Sequence, residues 1–157
     1  MKKKRILALL MAAAMTVSLA ACGGGESKSE GSEGEGGYDQ VTYAYATFNN
    51  IPAEEDLDTV EEAINEITRE KINVEVTLQP YSIADYPSKI PLALQGGEKV
   101  DIYQSLGDFN NYVSTDMAYD ITELLNECGQ GIVDTVGEEW LNACSKDGAI
   151  YGVPTMK

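Results

Sequence analysis

Few residue types in this 157-residue chain can perform acid–base or nucleophilic chemistry. The sequence has no histidine, which removes the commonest general base, the commonest metal ligand and the usual serine and cysteine triads. Its 26 acidic residues could supply the two carboxylates that a glycosidase needs, but no spacing singles out a pair. Asp108, Asp116 and Asp120 do not match the spacing of a calcium-binding loop. We therefore predict no catalytic residue, no metal and no cofactor.

Polar and aromatic side chains near predicted strand ends are better suited to binding. Aromatic rings stack on the CH faces of sugars, while amides, hydroxyls and carboxylates pair with sugar hydroxyls. Ligands of open parallel sheets collect where the strands end. The candidates are Phe48, Asn49 and Asn50 after the first strand, Ser105, Leu106, Gly107, Asp108 and nearby Tyr112 after the third, and Pro154, Thr155 and Met156 after the last. Two alternatives stay open: Asn49–Asn50 forms only a turn, and Asp108 only caps a helix.

The elements that would position these side chains alternate between strands and helices. Residues 41–48 are rich in strand formers, and residues 72–78 alternate between apolar and polar side chains until Pro80 ends the strand. A helix between them runs to Lys71, because its apolar residues recur at helical spacing. These apolar residues are Leu57, Val60, Ile64 and Ile67.

A second helix is predicted over residues 82–95, although this segment contains two prolines. Pro87 can be accommodated in a first turn, whereas Pro91 should kink or divide the helix. Residues 100–104 form the third predicted strand. The order β-α-β-α-β favours an α/β domain with a largely parallel sheet flanked by helices.

Short helices and a turn are predicted after the third strand. They are a helix from Asp108 to Val113, a helix over 121–127 opened by a capping box of Asp120 and Glu123, a helix around Trp140, Leu141 and Cys144, and a tight turn at Asp147–Gly148 that enters a strand.

The amino-terminal segment has the regions of an export signal. Basic residues at positions 2–5 precede an apolar stretch from Ile6 to about Ala20, shorter than the roughly 20 residues that span a membrane. The residues Leu19-Ala20-Ala21 before Cys22 resemble a bacterial lipobox. This resemblance implies cleavage before Cys22, a lipid on its thiol, and a new amino terminus that can carry a fatty acid such as palmitate. Two or more acyl chains hold a protein stably on a membrane.

A flexible tether is predicted to follow the lipidated cysteine. Residues 23–37 contain seven glycines, four glutamates, three serines and one lysine, so no apolar group offsets the entropy cost of ordering them. We therefore divide the chain into a signal peptide over 1–21, a lipidated cysteine and tether over 22–37, and a folded domain over 38–157. The expected location is the outer face of a bacterial cytoplasmic membrane, held there only by the lipid.

The net charge limits which partners the chain can bind, and the cysteine content limits which disulfides it can form. The net charge of −15 becomes −19 once four basic residues leave with the signal, which argues against binding nucleic acid or anionic lipid. An exported chain meets oxidising conditions, so a disulfide between Cys128 and Cys144 is allowed. The alternative is that both are small buried thiols.

The layout from about Val41 to Lys157 resembles the extracellular solute-binding lipoproteins of bacterial ABC importers, in particular the family that handles sugars and oligosaccharides. The resemblance is carried by the order and spacing of four stretches, "VTYAYATFNN…EEAINEITREKINVEV", "KIPLALQGGEKVDIYQSLGDF", "AYDITELL" and "DGAIYGVPTMK".

This resemblance implies a two-lobed, hinge-closing fold of the periplasmic-binding-protein type (type II). A small ligand, with carbohydrate favoured, would lie between the lobes and pass to ABC permease subunits. Phe48–Asn50 and Ser105–Asp108 fall where the first lobe of this family lines the cleft. Because the family's members are several hundred residues long, we expect this chain to be an amino-terminal fragment with an incomplete first lobe. The alternatives are a surface-anchored glycan hydrolase, using carboxylates such as Asp101 and Asp108, and an adhesive lipoprotein.

Overall fold

The computed structural model describes residues 36–48 and 50–155. The predicted signal peptide, Cys22 and most of the predicted tether lie outside the described residues, as do Asn49 and Met156. In the part that is described, no helix is both long enough and apolar enough to cross a membrane.

A three-stranded parallel sheet forms the centre of the domain. Its strands are β1 (Asp39–Thr47), β2 (Val74–Ser82) and β3 (Ile102–Tyr103), in the order β2-β1-β3. The central strand β1 pairs along its whole length with β2, and only Tyr43 and Ala44 pair with β3. Helices α1 (Glu54–Ile72) and α2 (Tyr86–Gln95) connect the strands. The predicted α/β class, with a parallel sheet flanked by helices, is confirmed.

Strand β2 continues through Pro80 to Ser82, so the prediction that Pro80 ends it is wrong. A proline is tolerated in an edge strand when its missing N–H would point away from the neighbouring strand. Val76 and Leu78, which alternate with Pro80, have their N–H groups bonded to side chains of α1 instead of to β1. The N–H that Pro80 lacks is therefore not one that pairing with β1 needs.

The packed face of helix α1 is rotated from the predicted one, although Leu57 and Ile64 of the predicted stripe are partly buried. Val60 and Ile67, two members of the predicted apolar stripe, are exposed, and Asn65 is the buried side chain instead. The Asn65 amide donates to Val76 O (2.9 Å) and accepts from Val76 N (2.7 Å), and the Glu61 carboxylate accepts from Leu78 N (2.7 Å). Polar contacts with the edge of β2 thus set the rotation of the helix.

Helix α2 is continuous from Tyr86 to Gln95, with Pro91 inside it, so the proline does not divide the helix. Tyr86, Ile90 and Ala93 are buried on one face, and this burial offsets the loss of one helical hydrogen bond. Tyr86 and Ile90 join Ala44 of β1 and Tyr112 in the hydrophobic core.

Short helices and a hairpin follow β3. They are α3 (Phe109–Ser114), α4 (Thr122–Glu127), α5 (Gln130–Val136), α6 (Glu138–Leu141), a 3₁₀ turn (Asn142–Cys144), and the antiparallel strands β4 (Ser145–Lys146) and β5 (Ala149–Ile150). Helix α5 was not predicted. The predicted capping box does not form: Asp120 Oδ1 accepts from Thr122 N (2.9 Å) and Thr122 Oγ1 (2.6 Å), while α4 begins after Ile121 and has no side-chain capping bond.

The two cysteines of the folded part are free thiols, so the allowed disulfide is not formed. Cys128 is exposed and its thiol donates to Leu124 O (3.2 Å), which also corrects the alternative that both thiols are buried. Cys144 is partly buried, and this burial raises the pKa of its thiol.

Candidate ligand-binding site

The carboxyl ends of the three parallel strands lie side by side. Thr47 and Ser82 are register partners, and Ile83 N donates to Thr47 O (2.9 Å), which holds the ends of β1 and β2 together. Gln104 Oε1 accepts from Ala46 N (3.0 Å), which links β1 to the residues just after β3. We call the residues at and just after these ends the strand-end site, and they are Phe48, Asn50, Ser82, Asp85, Ser105, Leu106, Gly107 and Asp108.

The segment after β1 offers an exposed aromatic ring. Phe48 is 81 % exposed, an unusual state for a phenylalanine and one that leaves its ring available to a partner. Asn50 is also exposed, whereas Asn49 lies outside the described residues. The predicted placement of Phe48 and Asn50 just beyond the end of a strand therefore agrees with the structure.

The segment after β3 forms a tight turn with a strained residue. Asp108 N donates to Ser105 O (3.0 Å), and the two central residues, Leu106 (φ 44°) and Gly107 (φ 90°), both have positive φ. Glycine adopts this conformation freely, but leucine does so at a cost of about 1–2 kcal/mol. In the described part, the other non-glycine residues with positive φ are all Asn or Asp, namely Asn73, Asp116 and Asp147. Such strain clusters at functional sites, which makes the Leu106 position notable.

Asp108 presents an exposed carboxylate beside this turn. It occupies the residue before α3, but its side chain makes no capping bond to the backbone of the helix. Instead its Oδ2 accepts from the Asn111 side chain (3.1 Å). The alternative that Asp108 only caps a helix is therefore wrong, and its carboxylate keeps further hydrogen-bonding capacity.

Tyr112 belongs to the hydrophobic core, not to the open surface of the site. The residue is 3 % exposed, and its ring centroid lies 5.0 Å from that of Tyr103. Burial, followed by the negative charge of Asp108, raises the pKa of its hydroxyl. This position corrects the prediction that Tyr112 contacts a ligand: its spacing from Asp108 places it on the inner face of α3.

Sequence reasoning missed the contribution of β2 because it ended this strand at Pro80. Ser82 Oγ donates to Asp85 Oδ2 (2.8 Å) and accepts from Asp85 N (3.2 Å), which places a hydroxyl and a carboxylate at the carboxyl end of β2. The available signal was the Ser-x-x-Asp pattern before α2, which is typical of a turn. Pro154 and Thr155 follow β5, which belongs with β4 to a separate two-stranded sheet, so the parallel sheet does not place them at this site.

The carboxylates proposed for a hydrolase do not form a pair. Asp101 precedes β3, and its Oδ2 accepts from Thr42 N (2.7 Å) in the middle of β1, whereas Asp108 follows β3. Asp101 therefore continues the β1–β3 pairing at the opposite end of the strand. Within residues 36–48 and 50–155, no three Cys, Asp or Glu side chains are grouped as they would be to hold a metal ion.

A shallow cavity of about 200 Å³ lies elsewhere in the domain. It is lined by residues of α4, α5, α6 and β5, among them Leu125, Glu138 and Ile150, and by none of the strand-end site.

Solved structures similar to this chain are solute-binding proteins. The N-glycan transport solute binding protein (NgtS) from Streptococcus pneumoniae matches at 22 % identity with a TM-score of 0.64, over 73 % of this chain and 24 % of that chain. The ABC substrate-binding protein Lmo0181 from Listeria monocytogenes, in complex with cycloalternan, matches at 20 % identity with a TM-score of 0.53, over 72 % and 28 %. CpMnBP1 with mannotriose bound matches at 21 % identity with a TM-score of 0.51, over 73 % and 28 %.

These matches confirm the predicted resemblance at the level of the fold. The chain spans about a quarter of the length of the solved structures that it matches. No family model and no curated protein sequence matches it.

Proposed function

We propose that this chain, which has part of the fold of ABC solute-binding proteins, binds a carbohydrate at its strand-end site as a component of an ABC importer. The observation that carries the proposal is the combination of that fold with an exposed ring, hydroxyls and a carboxylate at the carboxyl ends of adjacent parallel strands. Open α/β sheets bind their ligands at this position.

The chemistry of the site supports a sugar over an ion or an apolar ligand. Phe48 offers an aromatic face for CH groups, while the exposed carboxylates of Asp85 and Asp108 offer acceptors for sugar hydroxyls. No arginine or lysine belongs to the site, so an anionic ligand would lack a counter-charge. Two of the similar solved structures have cycloalternan and mannotriose bound, which supports the same substrate class.

Export and anchoring complete the proposal. The lipobox-like sequence before Cys22 would place the protein on the outer face of the cytoplasmic membrane, and permease subunits would receive the sugar. Gene order offers a quick check, because an importer component is expected beside genes for ABC permease subunits. An adhesive lipoprotein predicts no such neighbours.

Carbohydrate binding can be tested by NMR titration of the ¹⁵N-labelled chain with mannotriose. Because the site is open, we expect weak binding, with a dissociation constant on the order of 1 mM, and shifts at the amides of Phe48, Ser105 and Gly107. Asp108→Asn should weaken binding about fivefold, since a charged acceptor becomes a neutral one.

A matched control is Asp147→Asn, which makes the same change in the β4–β5 turn and should leave binding unchanged. Uniformly small shifts with mannotriose, maltotriose and xylotriose would contradict the proposal. Release of smaller sugars that stops in Asp108→Asn would instead identify a hydrolase.

A further inference from the structure

The three strand ends are joined by side chains, because the backbone pairing of β3 covers only two residues. Tyr43 and Ala44 pair with Ile102 and Tyr103, and there the regular ladder ends. Beyond it, Ala46 N would have no partner on β3, but it donates to the side-chain Oε1 of Gln104 (3.0 Å). The Gln104 amide thus extends the β1–β3 pairing by one step toward the strand-end site.

A buried hydroxyl holds Gln104 from the other side. Tyr86 is 0 % exposed at the start of α2, and its Oη accepts from Gln104 N (2.7 Å) and donates to Ala44 O (3.2 Å). One hydroxyl therefore links α2, β1 and the first residue after β3. Desolvation by burial raises the pKa of Tyr86 to about 12, so the hydroxyl keeps the proton that it donates at any physiological pH.

The hydrogen bonds of Tyr86 and Gln104 lie next to the segments that form the strand-end site. Gln104 immediately precedes the turn Ser105–Asp108, which contains the strained Leu106. Ala46 lies two residues before Phe48. A strained turn persists only where surrounding contacts determine its geometry. The bonds through Tyr86 and Gln104 supply such contacts at the base of the turn.

We propose that Tyr86 and Gln104 are positioning residues of the strand-end site, which hold the segments after β1 and β3 in one arrangement before a ligand arrives. The inference rests on the proposed function for the identity of the ligand, but the ordering itself is a property of the free protein. Prior ordering saves the free energy that a ligand would otherwise spend on fixing these segments.

The first test measures amide hydrogen exchange in the free protein by NMR. Tyr86→Phe keeps the ring and removes the hydroxyl, so exchange at Gln104 should accelerate about tenfold or more, and the resonances of Leu106 and Gly107 should shift or broaden. Tyr103→Phe is the matched control, because it removes the hydroxyl of a partly buried core tyrosine. That hydroxyl donates to Met117 O (2.9 Å) and not to the strand ends.

A second pair of variants addresses the side chain of Gln104 and covers the case in which Tyr86→Phe does not fold. Gln104→Leu removes the acceptor for Ala46 N and should accelerate exchange at that amide, while Gln104→Glu keeps an acceptor and should restore protection. Equal acceleration over the whole chain in Tyr86→Phe and Tyr103→Phe, with the turn resonances unchanged, would overturn the proposal.

The dissociation constant for mannotriose distinguishes positioning of the site from a general contribution to stability. The dissociation constant should rise about fivefold in Tyr86→Phe and Gln104→Leu, and less than twofold in Tyr103→Phe and Gln104→Glu. A parallel rise in all four variants would count against positioning. If the unmodified protein binds no saccharide, the proposed function fails, while the exchange measurements still decide whether these residues order the site.

Discussion

At the scale of single residues, the strand-end site combines exposure with backbone strain. Phe48 and Leu106 are large apolar side chains that remain exposed, and Leu106 also has a positive φ. A sequence optimised only for stability would place glycine or asparagine at such a position. The leucine side chain therefore favours a role in contact with a ligand over a role in folding.

Replacing Leu106 should separate stability from binding. Leu106→Gly relieves the positive-φ strain and should stabilise the fold by about 1 kcal/mol, which raises the melting temperature by about 4 °C. The same variant should bind mannotriose more weakly, because an exposed apolar contact is lost. Leu106→Ala is the control for side-chain loss, since it keeps Cβ and should gain no stability. Thermal melts that show Leu106→Gly less stable than the parent would refute this account.

At the scale of secondary-structure elements, α1 shields the outer edge of β2. Asn65 satisfies both backbone groups of Val76, Glu61 accepts from Leu78 N, and Pro80 has no N–H to expose. Unpaired edge strands invite pairing with other chains, and side chains or prolines that occupy the edge prevent this. The edge of β2 is thus closed by three residues that a hydrophobic pattern does not single out.

Asn65 is the residue whose loss should open this edge. Asn65→Ala leaves Val76 N and Val76 O without partners and should lower the free energy of unfolding by about 2–3 kcal/mol, with more aggregation in light scattering. Asn65→Asp keeps the acceptor for Val76 N, so its free energy of unfolding should lie between those of the unmodified protein and Asn65→Ala. The exposed neighbour Glu66 provides a control, because Glu66→Ala should change stability by less than about 0.5 kcal/mol. Similar urea midpoints for Asn65→Ala and Glu66→Ala would contradict the assignment.

At the scale of the whole molecule, the core is built around tyrosine hydroxyls. Burial raises the pKa of Tyr86 and Tyr103 to about 12, and it also raises the pKa of Tyr81 and Tyr112. Each ring contributes apolar area, and the hydroxyls of Tyr86 and Tyr103 bond to backbone groups of neighbouring segments. Burial in the core therefore favours the neutral form of these hydroxyls.

Stability should consequently fall at high pH. The folded pKa values of Tyr86 and Tyr103 lie above the ordinary value of 10.0, so their contribution is complete below pH 10 and is lost as the pH rises toward 12. Each should reduce the free energy of unfolding by up to about 1.4 kcal/mol per pH unit in that window.

Urea titrations between pH 8 and pH 11.5 would measure this slope. Tyr86→Phe should make it shallower, whereas Tyr119→Phe, which changes an exposed ring, should not. A free energy of unfolding that is flat up to pH 11.5 would be inconsistent with the buried hydroxyls.

Local sequence patterns determined much of the fold. The order β-α-β-α-β, the extent of α1 to within one residue at its carboxyl end, and the Asp147–Gly148 turn follow from hydrophobic periodicity and glycine chemistry, which act over a few neighbouring residues. The same patterns located Phe48 and the Ser105–Asp108 turn after strands, because strand ends are local features too.

Tertiary contacts decided the rest. Pro80 stays in a strand because β2 is an edge, and Pro91 stays in a helix because burial of the residues around it offsets a lost bond. Asn65, not Val60, is buried because the edge of β2 needs hydrogen-bond partners. Tyr112 enters the core for a similar reason: which face of a short helix is buried depends on what packs against it, and that information lies far away along the chain.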